Sequence, residues 1–445
     1  MTDRGAIDLG STNIKVARLT SDGHMTLIAR YPAPKPKGRG SVRESDAQAW
    51  LDAAYNGLRA AREAGIKRLG LSVQRSSFAV WRESDGKPLS ALISWRDTRG
   101  QSWCDQNADQ VARIKEHTGI VPSPHYLGPK VASLCKERHP AFASLQGGGS
   151  IVGTLDAAVL YRWSHSKNLV TAPCVAARTL LLDPVTAHWD PELLALFRVP
   201  RTCLPNILTA NDLPLFVSGV HIHSVLADQS AAFLAMRHQF PRMPIINAGT
   251  GTFIMTERDD PPPIGYLRMA FWDHMQGPNW CWEATVNAGA KIFPELAGVH
   301  SRRSELRVDD LASPEVVGYG TPFLDRGAPP ISFVRDTQAA AVAYAFRIRA
   351  ILDDFDVAAD MPVILGGGCS RNPSAVQGFA DIIERKVYRL DEADLSAYGA
   401  IQQIDPQAPL APLTYREVAP RSASWTPLYD EWRQNHPLFT DVSKK

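Results

Sequence analysis

Apolar and polar positions along the chain switch between a strand rhythm and a helical one. Residues 6–17 read as strand, tight turn, strand. Ala6, Ile7, Leu9, Ile14, Val16 and Ala17 flank a polar knot of Asp8, Gly10, Ser11, Thr12 and Asn13. A third short strand follows at 27–31. Trp50, Leu51, Ala54, Leu58 and Ala61 then recur at helical spacing, behind Ser45 or Asp46 as the cap. Residues 66–73 return to strand and 78–82 form another, so β and α segments alternate, as in an α/β protein. Helices are expected at 155–163, at 189–197 behind Asp190-Pro191, and from Ser230. The turn Val217-Ser218-Gly219 precedes a strand at 220–227. A second hairpin covers 246–255. Beyond it lie a helical stretch at 287–291, a long helix at 336–355 with one apolar side, and a strand at 361–368 that ends in Gly366, Gly367 and Gly368. Small residues at 397–400 suit a helix packed close to a sheet. The Pro-rich tail ends in an aromatic segment, expected as a helix folded on the body.

The second hairpin repeats the grammar of the first. With Ile7 aligned to Ile246, both read apolar, Asp or Asn, small or apolar, Gly, hydroxyl. The repeat suggests two related lobes, each presenting a phosphate-facing turn to a shared cleft. The first hairpin alone supports two readings. One is an ordinary Gly turn. The other is an anion cradle, with Gly10 allowing a positive φ or a close approach, hydroxyl residues offering donors, and Asp8 holding a metal. A boundary near residue 218 divides the chain into 1–218, 219–405 and a tail, 406–445.

Bulk properties narrow the classes. The chain has 445 residues, 44% hydrophobic and 21% charged, with a net charge of +2. This suits a globular enzyme of two or three domains and gives no electrostatic case for nucleic acid or an anionic membrane. No run approaches the ~20 apolar residues of a membrane span. The N-terminus passes straight into the first strand, so no signal peptide is expected. The six cysteines are scattered without a Cys-x-x-Cys pair, which points to reduced thiols and a cytoplasmic location. The basic stretch Lys35–Arg43 reads as a solvated connection, or as an attractor of an anionic substrate. Gly147-Gly148-Gly149 lacks the Lys-Ser/Thr of a Walker loop and reads as a turn.

Candidate chemistry sits where strands end. Gln74-Arg75-Ser76-Ser77 follows one strand, and Trp95, Asp97 and Arg99 follow another. Open α/β sheets place ligand groups at such ends. Arg75, Asp97 and Trp95 suit a polyhydroxylated ligand, by hydrogen bonds and an aromatic face. The alternative is a buried ion pair of Asp97 with Arg75 or Arg99. Asp228 begins a helix, as a cap or as a base for an acceptor hydroxyl. The glycines at 366–368 suit either a backbone packed against a ligand or a tight turn.

In this order the motifs resemble the FGGY carbohydrate kinase family, glycerol kinase- and xylulokinase-like, of the actin/hexokinase/Hsp70-type superfold. They are Asp8-x-Gly-Ser-Thr, Gln74-Arg75 through Trp95-x-Asp97-x-Arg99, Thr154-Leu155-Asp156, Ala177-Arg178-Thr179, Asp228-Gln229-Ser230, Gly249-Thr250-Gly251-Thr252, Asn287-Ala288-Gly289 and Leu365-Gly366-Gly367-Gly368. The resemblance implies an α/β, two-lobed actin-like ATPase (ribonuclease H-like) fold with an interdomain cleft. It implies transfer of the γ-phosphoryl group of ATP, with Mg²⁺, to a sugar or polyol hydroxyl. Asp228 would be the general base, and Asp8 would hold Mg²⁺ through water. Gly10, Ser11, Thr12, Asn13 and Lys15 would face the transferred phosphate. Gly249, Thr250 and Gly251 would face the nucleotide phosphates, and Gly289, Gly366, Gly367 and Gly368 the adenosine side. Gln74, Arg75, Ser76, Trp95, Asp97, His125, Tyr126, Gln229 and Phe253 would join Asp228 around the acceptor. A homodimer is also implied. Three positions depart from the glycerol kinase branch: Ser76 stands where that branch has Glu, His125 where it has an aromatic residue, and Phe293 where it has an amide. Ser76 puts glycerol in doubt. Two other classes compete, a non-catalytic sugar or nucleotide sensor and an actin-like ATPase.

Overall fold

The N-terminal hairpin is the centre of a mixed six-stranded sheet. The computed structural model describes residues 2–165, 168–249, 251–263, 265–286, 288–320, 331–392, 394–405, 410–421 and 424–436. Strand Arg4–Leu9 pairs antiparallel with Asn13–Leu19, which pairs with Met25–Pro32. On its other side it runs parallel to Arg68–Val73, and that strand runs parallel to Val220–Ala227. Leu215–Val217 completes the edge as a hairpin partner. Strand Arg4–Leu9 is buried along its whole length, as a parallel strand covered on both faces should be.

Helix Ala47–Glu63 covers the hairpin. Its apolar stripe, Trp50, Leu51, Ala54, Leu58 and Ala61, is buried, and Asp46 caps it by accepting from Ala49 N. Helix Leu395–Gln402 lies against strand Arg68–Val73. Gly70 has no Cβ to block the Ala400 carbonyl, and Ser224 Oγ donates to that carbonyl at 2.8 Å. A smaller sheet of Glu44–Ser45, Leu92–Ile93, Phe78–Arg82 and Ser150–Thr154 carries the segment that follows Gln74.

The chain divides into two compact units. The first holds residues 1–235, 269–279 and 396–411, and the second 236–268, 280–395 and 412–445. The division falls inside helix Asp228–Gln239 and not at the turn 217–219 marked by the sequence. The reason is strand pairing. Val220–Ala227 is bonded into the first sheet beside Arg68–Val73, so it and the start of the next helix stay with the first unit.

The second unit is built on a seven-stranded sheet. Its centre is the hairpin Ile245–Ala248 and Thr252–Glu257, with Val363–Gly366 and Val387–Leu390 parallel to the first of these strands. Helix Thr337–Asp354 was expected to bury one side and instead buries nearly all round, from Ala339 to Leu352. The tail explains this. Helix Thr426–Asn435 folds back, and Phe346 sits against Trp425, Tyr429 and Trp432, with ring centroids 5.3–6.2 Å away. Both Trp425 and Trp432 are buried. Among the described residues, no helix is long and apolar enough to cross a membrane.

Candidate active site

In the first unit three parallel strands end in line. Leu9 pairs with Val73, and Val73 with Ala227. The chain therefore leaves one sheet edge at Gly10, Gln74 and Asp228, the starts of three separate motifs. Asp8 is buried, and its Oδ1 accepts from Ser72 Oγ at 2.9 Å. Lys15 lies opposite Asp8 in the antiparallel register, with Nζ 3.8 Å from Oδ2. A cross-strand pair of this kind puts one cation and one anion on the same face. Gly10 does not take a positive φ. A Cβ there would lie 3.0 Å from the Asn13 carbonyl, so close approach is what requires glycine. Ser11 and Asn13 are half-buried and Thr12 is exposed.

The next segment is held by its own hydroxyls. Ser76 adopts φ 60°, a sparsely used conformation for a residue with a side chain. Its Oγ donates to the Arg178 carbonyl at 3.4 Å. Ser77 Oγ donates to Gln74 Oε1 at 3.2 Å and accepts from Trp95 N at 3.0 Å. His125 Nδ1 lies 3.0 Å from the Trp95 carbonyl. Arg178 stands 5.3 Å over the Tyr126 ring. Gln74, Arg75, Ser76, Trp95, His125 and Tyr126 thus belong to one unit, with Trp95 as the common neighbour of Ser77 and His125.

Asp97 takes the structural side of its two readings. Its Oδ2 accepts from Arg43 N at 2.7 Å and lies 3.1 Å from Arg99 Nη2. Its Oδ1 accepts from Arg99 N at 3.0 Å and from Arg99 Nε at 3.2 Å. Four contacts fill a carboxylate, and Arg99 is the guanidinium partner. Asp97 clamps the loop that presents Trp95. Lys130 supports the same loop from below, and no motif pointed to it. It is fully buried, donates to the Ser94 carbonyl at 2.8 Å, and lies 5.8 Å from the centre of the Phe78 ring. Burial pushes its ammonium down to about 7. A lone Lys in the run Leu127-Gly128-Pro129-Lys130-Val131 was the available signal.

A small pocket opens in this unit, lined among others by Ser11, Gln74, Trp95, Arg96, Pro34 and Pro36. It joins the first hairpin to the Gln74 and Trp95 segments. Asp228 is half-buried at the first turn of its helix, and its Oδ1 accepts from Gln229 N at 2.8 Å. Gln229 is also half-buried.

The second unit presents mostly backbone. Asn247 pairs with Gly366 in parallel strands, so the second hairpin turn and the Gly run leave the same edge. Gly249 N donates to Gly251 O at 2.9 Å, and Ala290 N donates to Gly249 O at 2.7 Å, which places Gly289 against the turn. Thr250 lies outside the described residues. Thr252 Oγ1 is buried between the Ala288 carbonyl and Tyr344 Oη, 2.9 and 2.6 Å away. The three glycines differ. A Cβ on Gly366 would meet Leu395 at 2.5 Å. Gly367 takes φ +88°, and a Cβ there would meet Ala248 O at 2.5 Å. Gly368 is exposed, with nothing near, so it alone of the three has room for a ligand at its Cα. Phe253 is half-buried opposite Asn247. Phe293 is core, packed against Tyr344 and Phe379.

Among the described residues, no group of three His, Cys, Asp or Glu side chains could hold a metal. A single carboxylate such as Asp8 suits Mg²⁺, which keeps most of its waters and binds phosphate oxygens.

Comparison with known proteins gives one consistent answer. The model of the FGGY family of carbohydrate kinases, N-terminal domain, matches residues 4–215, and the C-terminal domain model matches residues 330–403. A glycerol kinase from Aquifex aeolicus is 25% identical over 437 residues, covering 89% of this chain and 87% of its own. Among solved structures, a ligand-bound xylulose kinase from Lactobacillus acidophilus superposes with a TM-score of 0.75 at 16% identity, covering 99% of this chain and 97% of its own. A glycerol kinase from Plasmodium falciparum with ADP gives 0.70 at 17%, covering 90% and 89%. At such identities the structural likeness carries the fold. Asp228 and Gly249 fall in the stretch between the two matched segments.

Proposed function

The chain belongs to the FGGY family of carbohydrate kinases, and from that premise we propose how its residues divide the work of phosphoryl transfer. As a carbohydrate kinase it moves the γ-phosphoryl group of ATP to a hydroxyl of a small sugar or polyol. The observation that carries the residue roles is the shared strand edge at Gly10, Gln74 and Asp228. It supports a phosphate cradle, an acceptor site and a base arranged side by side.

Asp228 takes the proton of the acceptor hydroxyl as the bond to phosphorus forms. Lys15 and the turn Gly10–Asn13 face the transferred phosphate, where positioning and charge neutralisation do most of the catalysis. Asp8 is the residue that would hold Mg²⁺, and the ion would supply further charge neutralisation to the phosphate. Gly249, Thr250 and Gly251 face the nucleotide phosphates, and Gly289 with Gly366–Gly368 the adenosine side. Gln74, Arg75, Ser76, Trp95, His125, Tyr126 and Gln229 surround the acceptor, and Asp97 fixes the loop that carries Trp95. Ser76 stands where glycerol kinases have a carboxylate, which puts glycerol in doubt as the acceptor. A cytoplasmic homodimer completes the reading, and sedimentation tests the dimer.

The decisive experiment is ADP release from Mg-ATP across a panel of polyols, ketoses and sugar acids. A kinase gives release that rises with one acceptor class. Release indifferent to every acceptor identifies an ATPase. No release with ligand binding retained identifies a sensor.

A further inference from the structure

Strand Arg68–Val73 holds a buried hydroxyl that the roles above leave unassigned. Its run Leu69-Gly70-Leu71-Ser72-Val73 carries no polar side chain but Ser72, which is fully buried. A buried hydroxyl costs free energy unless it is hydrogen-bonded. Ser72 lies between Asp8 and Leu226 in the parallel register, and of these two side chains only Asp8 can accept. That bond is made, with Ser72 Oγ donating to Asp8 Oδ1 at 2.9 Å.

As a tie between strands the bond is spare. Backbone pairing already joins the two strands from Arg4 with Arg68 to Leu9 with Val73. What the hydroxyl adds is a distinction between the two oxygens of one carboxylate. A hydrogen bond to an ionised oxygen is charge-assisted, and it restricts the side chain to rotamers that keep Oδ1 against Ser72. Oδ2 is thereby turned towards the hairpin. It lies 3.8 Å from Lys15 Nζ, and 3.5 Å from where a Cβ on Gly10 would stand. One oxygen is tied to the sheet, and the other faces the turn assigned to the transferred phosphate.

We propose that Ser72 is a positioning residue for phosphoryl transfer, whose hydroxyl fixes the Asp8 carboxylate so that Oδ2 stands at the Gly10–Asn13 turn for a divalent cation. Carboxylates that bind metals owe about 10- to 100-fold in affinity to the groups that hydrogen-bond them. The proposal rests on the reading of Asp8 as the residue that would hold Mg²⁺.

The test measures ADP affinity by calorimetry across a series of Mg²⁺ concentrations. Wild type should bind ADP more tightly as Mg²⁺ rises, and Asp8→Ala should lose that dependence. In Ser72→Ala its midpoint should move to about tenfold higher Mg²⁺, with affinity for ADP alone and KM for the acceptor unchanged. Turnover of Ser72→Ala should recover as Mg²⁺ is raised, which a merely structural loss would not do. Ser224→Ala is the control. It removes another buried hydroxyl of the same sheet, one that bonds the Ala400 carbonyl, and its midpoint should stay at the wild-type value. A wild-type midpoint in Ser72→Ala, with the dependence lost in Asp8→Ala, overturns the role of Ser72 and leaves Asp8 in place. Equal losses for ADP alone, Mg²⁺ and the acceptor show general damage and overturn it too. A dependence absent from wild type, or surviving in Asp8→Ala, overturns the reading of Asp8 and the proposal with it.

Discussion

The two units present the same device in different chemistry. In each, a β-hairpin turn shares a sheet edge with the end of a neighbouring parallel strand. At the first edge that end offers side chains: Gln74 and Arg75, with Asp228 on the next strand over. At the second it offers glycines, with Gly367 in the left-handed region and Gly368 open. The roles proposed for the two edges account for the difference. An acceptor hydroxyl needs a base and directional partners, which only side chains supply. Nucleotide phosphates are well served by backbone N–H groups, and every side chain there would stand in the way. Substitution should therefore fail in different ways at the two edges.

The largest effect is expected at the first edge. Asp228→Asn keeps the shape of the side chain and its acceptor oxygen for Gln229 N, and removes the basicity. We expect kcat to fall about 10²–10⁴-fold, with acceptor binding by calorimetry and KM for ATP little changed. Near-wild-type turnover would sink the base assignment, and with it the view that the first edge works through its side chains.

At the second edge the effect is conformational. Gly367→Ala adds a Cβ 2.5 Å from Ala248 O at φ +88°, so either the loop or the strand must move. We expect a loss of roughly 2–4 kcal/mol in denaturant unfolding and a raised KM for ATP. Gly368→Ala is the matched control, because its Cβ would meet open space and its φ is ordinary. It should fold normally and raise KM for ATP through crowding of the ligand alone. If Gly367→Ala unfolds no more easily than Gly368→Ala, the second edge does not depend on backbone geometry.

Much of this contrast was written in local sequence. Both hairpins, the Asp46 and Asp190 caps and the strand at 78–82 follow from spacing and cap chemistry that act within a few residues. What stayed hidden depends on distant partners. The turn at 217–219 looked like a boundary, but the strand after it is claimed by Arg68–Val73. Asp97 had two candidate guanidiniums, and only the folded loop chooses Arg99. Helix Thr337–Asp354 looked one-sided because the aromatic residues that cover it come from a tail far along the chain. Pro34 and Pro36 gave no sign that they wall a pocket, since a proline pair in a basic loop usually marks a solvated turn.

Lys130 offers a smaller and sharper probe of the side-chain edge. It lies beneath the loop of Trp95, and its ammonium is pushed from 10.5 down to about 7 by burial, with Asp97 opposing and Arg99 adding to the shift. The unfolded chain holds this proton up to about pH 10.5, whereas the folded protein releases it near 7. Between those values the unfolded state binds more protons, so this group makes stability rise with pH, and its burial cost is fully present below about pH 7. Lys130→Met keeps the apolar stem and removes the titration. The stability of wild type minus that of the variant should rise from pH 7 to 9, by at most about 1.4 kcal/mol per pH unit. The Ser94 carbonyl keeps its bond from Asp97 N, so the loop should loosen without unfolding. KM for the acceptor should rise about two- to fivefold, the loss of roughly one net hydrogen bond, while KM for ATP stays put. A stability difference that does not change with pH would show that Lys130 keeps its proton through this range. A shift in KM for ATP equal to that for the acceptor would show that the two edges are not served separately.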